Sequence, residues 1–158
     1  MIAFSAKAEK KFESIVARYP RRDAALLPVL WLAQEEFDHI SKEVKALVAA
    51  KVGVSIARVD SVLGFYTLYK TKPTGRYHLQ VCRNISCHLR GAKEIMRTIE
   101  ETLGIRDGET TPDGRFTYSK VECLAACGTA PCMQVNMDYH ESLTPESTKA
   151  TLERLRSE

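Results

Sequence analysis

Val81-Cys82-Arg83-Asn84-Ile85-Ser86-Cys87-His88 and, further on, Glu122-Cys123-Leu124-Ala125-Ala126-Cys127 decide how this chain is read. Together with Cys132, which follows Ala130-Pro131, they hold all five cysteines of the 158 residues. The first pair has four residues between its members and the second has three. The segment between the pairs is long enough for a helix. Two close pairs of soft sulfur donors, carried on separate loops, suit a metal centre held between those loops.

A disulfide framework explains the pattern less well. It needs an oxidising compartment, and the N-terminal run Met1 to Lys7 has neither the basic nor the apolar region of a secretory signal. An odd count also leaves one thiol over. Scattered core cysteines are common singly, but they do not account for two close pairs. Among metals, zinc and iron–sulfur both use four thiolates. Structural zinc sites favour tight two-residue knuckles although wider gaps occur. The wider gaps here lean toward a [2Fe–2S] centre, whose two irons each need two thiolates, but spacing alone leaves zinc open.

Upstream, the pattern is helical. Phe4, Ala8, Phe12, Ile15, Val16 and Tyr19 recur at helical spacing before Pro20. Asp23 is placed to cap a second helix lined by Leu26, Leu30, Ala33, Phe37 and Ile40. Ser41 is placed to cap a third, ending at Gly53, and Ser55 a fourth with Ile56, Val59, Val62 and Leu63 inward. Phe65, Tyr66 and Tyr69 are expected to pack in the core, and His39 to be a surface or capping residue. Lys72-Pro73-Thr74-Gly75 is turn-rich. It divides the chain into an expected helical bundle over 1–72 and an α/β domain over 73–158.

Downstream, Tyr77, Leu79 and Val81 alternate along a strand from Arg76 that ends in Cys82. One helix is expected from about His88 to Leu103, stopped by Gly104. A second strand, Arg115 to Glu122, leads into Cys123. Two short strands, Cys132 to Asn136 and Tyr139 to Glu141, are joined around Met137-Asp138, and Thr144 with Pro145 opens a last helix. Strand, helix, three strands and helix make a thioredoxin-like layered α/β order, so the fold class is α+β. Ala130-Pro131 stands before a strand, where such folds carry a cis proline.

Composition excludes several functions. A net charge of +3, with no basic-aromatic patch, gives no footprint for nucleic acid. No run reaches the apolar length of a membrane span, so a membrane role is expected only through a partner and the chain is expected in the cytoplasm. There is no G-x-G-x-x-G, no P-loop, no H-E-x-x-H and no C-x-x-C. No catalytic residues converge, and nothing here takes a hydride.

Beyond the cysteines stand Leu27-Pro28-Val29-Leu30 with Ala33-Gln34, Gly64-Phe65-Tyr66-Thr67, Thr111-Pro112-Asp113-Gly114 and Leu143-Thr144-Pro145-Glu146. With these, the chain over roughly 10–156 resembles the thioredoxin-like [2Fe–2S] ferredoxins. More narrowly, it resembles the E-type branch of that family found in bacterial NADH–quinone oxidoreductase (respiratory complex I). The resemblance implies one [2Fe–2S] cluster on Cys82, Cys87, Cys123 and Cys127. It also implies a one-electron carrier whose partner is the flavin-bearing, NADH-oxidising subunit. FMN and NADH would sit on that partner, and the assembled complex would hold the chain at the inner membrane. In the family this cluster lies near the flavin, beside the main wire of clusters. Similar subunits serve NAD-linked formate dehydrogenases and soluble hydrogenases. The reading from another class is a zinc-bound, redox-inert assembly module.

Two departures stand out. The family usually has glycine where this chain has Ala125, so the loop either does without a glycine conformation or is slightly strained. Cys132 replaces a more usual aliphatic residue and is expected as a buried strand residue, with an exchange for one of the four ligands as the alternative. Arg83, Asn84 and His88, beside the first two cysteines, are candidates for tuning a bound cluster.

Overall fold

The protein's structure is a computed structural model that describes residues 2–158. The chain packs as two compact units, one ending at Pro73 and the other beginning at Thr74.

The first unit is four helices around one apolar core: α1 (Ala6–Val16), α2 (Leu26–Phe37), α3 (Lys42–Val52) and α4 (Ile56–Phe65). Ser5, Ser41 and Ser55 each cap a helix by accepting an amide hydrogen bond, supplying an acceptor for one of the free N–H groups at each start. Gly53 ends α3 at φ 74°, a conformation that glycine adopts without penalty. Asp23 does not cap α2. It lies in a 3₁₀ turn over Arg22–Ala25 and pairs with Arg21 instead. The segment after α4 folds back onto α2. Gln34 donates to the Leu68 carbonyl at 3.1 Å and accepts from the Lys70 amide at 2.6 Å, and the Tyr69 hydroxyl donates to the Leu27 carbonyl. Tyr69 is therefore buried. Phe65, expected in the core, is 78% exposed, and Ile56 and Tyr66 are also exposed. Tyr19 lies beyond the end of α1 and is exposed as well.

The second unit is a four-stranded sheet with helices. Its strands are β1 (Tyr77–Cys82), β2 (Phe116–Val121), β3 (Met133–Val135) and β4 (Asp138–His140), in the order β2-β1-β3-β4. β1 and β2 run parallel, whereas β3 is antiparallel to both β1 and β4. Leu79 and Val81 of β1 share a core with Phe116, Tyr118, Met133 and Val135. Ile95 and Ile99 of α6 (Ala92–Leu103) and Leu152 and Leu155 of α7 (Pro145–Ser157) close that core. Thr144 caps α7 in a reciprocal box with Ser147, and Pro145 stands at its start.

The expected single helix from His88 is two. α5 (Ile85–Leu89) ends at Arg90, and Gly91 at φ 95° turns the chain into α6. The periodicity of Ala92, Ile95 and Ile99 belongs to α6 alone. The last hairpin turns at Asn136-Met137, one residue earlier than expected, with Asn136 at φ 54°. Asparagine tolerates that left-handed conformation better than most residues. The Ala130-Pro131 peptide is cis. No helix among the described residues is long and apolar enough to cross a membrane.

Candidate metal centre

β1 and β2 deliver the two cysteine pairs to one end of the sheet. Their parallel register sets Cys82 opposite Val121, so Cys123 leaves β2 two residues beyond the level of Cys82. The loop after β2 stays close to β1. The Cys82 thiol donates to the Glu122 carbonyl at 3.6 Å, and Leu124 and Ala126 pack on the buried group that contains Cys82. Arg83, just after the first cysteine, pairs with Glu122, just before the third, and so ties the starts of the two loops together.

Cys87 sits in α5, whose start is capped by Asn84 through its own Oδ1 and the Ile85 amide. Cys132 enters from the other side of β1. It immediately precedes β3, and its carbonyl accepts the Cys82 amide at 3.2 Å. The sulfurs of Cys82, Cys87 and Cys132 all lie within 4.8 Å of one another, and those of Cys87 and Cys132 are 3.8 Å apart. All three residues are buried and unbridged.

Backbone amides serve these sulfurs. Burial alone would raise the Cys82 thiol. The amides of Asn84 and Leu124, and then the thiols of Cys87 and Cys132, outweigh it and hold Cys82 below the ordinary cysteine value. Burial raises Cys87, with the Cys82 sulfur next in effect. Burial pushes Cys132 up to about 12, and its two sulfur neighbours add to that. Amides aimed at a sulfur are what an anionic thiolate ligand needs in a protein interior.

Cys123 and Cys127 are exposed. Cys123 accepts the Ala125 amide at 3.3 Å, and Ala125 itself sits at φ 59°. The loop therefore does use the left-handed conformation that glycine would take there without penalty. Cys127 opens a 3₁₀ turn that ends at Thr129, and Tyr139 of β4 braces the loop by donating to the Leu124 carbonyl at 3.0 Å. His88 is exposed. The residue that sequence reasoning undervalued is Cys132. Its only sequence signal is its place at the start of an expected strand; the pairing of that strand with β1, which brings Cys132 to Cys87, is a long-range contact.

Four cysteines gathered at one end of the sheet, with amides directed at three of their sulfurs, fit a thiolate-held iron–sulfur centre by donor chemistry. The family model of the thioredoxin-like [2Fe–2S] ferredoxins matches residues 12–156. The second E-type subunit of NADH-quinone oxidoreductase from Rhizobium meliloti (strain 1021) is 48% identical over 148 residues, covering 94% of this chain and 88% of its own. The E-type subunit of the Rickettsia bellii (strain RML369-C) enzyme is 39% identical over 99% of this chain and 95% of its own. Subunit 2 of the Thermus thermophilus enzyme is 45% identical over 92% and 82%. A solved NAD+-reducing [NiFe]-hydrogenase shares the fold, with a TM-score of 0.71 over 84% of this chain at 18% identity. This chain spans only 23% of that one.

Proposed function

The chain belongs to the thioredoxin-like [2Fe–2S] ferredoxin family, and on that premise we propose that it is the one-electron carrier subunit in the NADH-oxidising arm of an NADH–quinone oxidoreductase. Cys82, Cys87, Cys123 and Cys127 hold its cluster. When bound, a [2Fe–2S] centre supplies one-electron redox chemistry and takes no hydride. The two-electron chemistry therefore belongs to a partner that binds NADH and FMN. The observation that carries this reading is the 48% identity, across nearly the whole chain, to the Rhizobium meliloti E-type subunit. The likeness to the hydrogenase is one of fold and does not bear on the choice of partner.

The chain's own residues divide the work. Cys82 and Cys87 anchor the buried side, on a strand end and a capped helical turn. The amides of Asn84 and Leu124 stabilise thiolate charge on Cys82. Cys123 and Cys127 form the exposed side, which is where an electron partner can approach. Ile85 and Leu89, 73% and 79% exposed, stand before and after Cys87 on α5. An exposed apolar pair of this kind suits docking to the flavoprotein. Attachment to the membrane follows from that assembly.

The test is reconstitution with the flavin-bearing subunit. NADH is expected to bleach the visible absorption of this chain only when the flavoprotein is present. Bleaching by NADH alone, or none with the flavoprotein bound, would reject the proposed role.

A further inference from the structure

The proposed cluster set leaves one buried thiol unused, and the structure places it beside two that the set employs. We propose that Cys82, Cys87 and Cys132 form a mononuclear site for one soft divalent cation in the cluster-free chain. The proposal rests on the cluster reading only in that Cys82 and Cys87 serve both sites.

Donor chemistry selects the ion. Three thiolates favour zinc or cadmium over magnesium or calcium, which take oxygen ligands. Geometry agrees. Two thiolates about 2.3 Å from a tetrahedral ion stand roughly 3.8 Å from each other. Cys87 and Cys132 already have a 3.8 Å separation, and the whole trio lies within 4.8 Å. Closing the remaining gaps takes changes of an ångström or less, within the reach of side-chain rotation.

The frame is built before the ion arrives. Cys82 ends β1, Cys132 abuts β3, and the Cys82 amide bonds the Cys132 carbonyl, so the backbone fixes two of the three donors. Cys87 completes the set from α5, and the Cys132 amide points at its sulfur. Ala92 and Ala130 pack against the trio. Arg90 donates to the Ala130 carbonyl at 3.1 Å, bringing a positive charge to the border of a site that carries net negative charge when filled. Three thiolates and one dication leave the fourth tetrahedral position to water. An ion held here occupies two of the four cysteines proposed for the cluster, so it competes with cluster assembly.

The test titrates the reduced, cluster-free full chain with cadmium and follows thiolate-to-cadmium charge-transfer absorption, with circular dichroism reporting the fold. One cadmium per chain is expected. Cys132→Ser is expected to weaken binding roughly tenfold or more. Cys132→Val, which suits the buried position, is expected to do the same and guards against loss of fold in the serine variant. The double variant Cys123→Ser with Cys127→Ser is expected to bind as the parent does. Parent-like binding by folded Cys132→Val, failure of the parent to bind, or loss of binding in the loop double variant would each overturn the proposal. The cluster reading is checked separately on the same material. Iron and sulfide in anaerobically isolated Cys132→Val are expected to match the parent, and their loss would count against the four-cysteine cluster rather than against the three-thiol site.

Discussion

Ala125 shows what a single backbone conformation costs. At φ 59° its methyl group crowds the backbone in a way that glycine avoids. The penalty is about 1–2 kcal/mol, partly offset because glycine gains more freedom in the unfolded chain. Ala125→Gly is therefore expected to stabilise the second unit by about 0.5–1 kcal/mol, read as a higher urea midpoint for the cluster-free chain. An unchanged or lower midpoint would mean that the loop is not strained there. His140, on β4, gives a pH signature. Burial, followed by the charge of Arg154, lowers its pKa from the ordinary 6.5, and Asp138 opposes them only in part. The unfolded chain then takes up a proton first as the solution is acidified. The histidine's contribution to stability is complete above about pH 6.5 and is lost as pH falls from there through the lowered folded value. His140→Gln is expected to unfold with a shallower loss of stability over that window. Equal slopes for parent and variant would refute the assignment.

Elements show where periodicity informs and where it misleads. Serine caps, the Gly53 and Gly104 stops, and the Thr144-Pro145 start were legible because each supplies a specific acceptor or backbone conformation at a fixed offset. The break between α5 and α6 was not. Apolar spacing from Ala92 to Leu103 runs back smoothly into His88, and only the φ of Gly91 divides the helices. Beyond its chain neighbours, nothing lies within 4 Å of the place a methyl group would take there, so Gly91→Ala meets only the backbone penalty. It is expected to lower stability by about 1 kcal/mol in chemical unfolding, and a neutral result would place the break elsewhere. Phe65 and Ile56 were misread for a related reason. Apolar residues near helix ends continue a stripe that the core no longer reaches, and their exposure comes from tertiary packing. The candidate site divides the same way. Both cysteine pairs could be read from spacing, but the approach of Cys132 to Cys87 depends on β3 pairing with β1, a contact between residues far apart in sequence.

At the scale of the whole molecule, the two units carry different kinds of information. The helical unit has a continuous apolar core and places no cysteine, whereas the α/β unit holds all five. Parallel pairing of β1 with β2 brings the two cysteine loops out at the same end of the sheet. That topology, together with family membership, is the basis for reading the chain as an electron carrier and not as an enzyme complete in itself. The most direct test is electron paramagnetic resonance on anaerobically purified chain before and after dithionite, with iron, sulfide and zinc counted on the same sample. A silent oxidised sample that gains a spin-half signal on reduction, with about two iron and two sulfide per chain, is the expected result. Silence in both states, with zinc bound and neither iron nor sulfide present, would contradict the electron-carrier account and leave a structural zinc module.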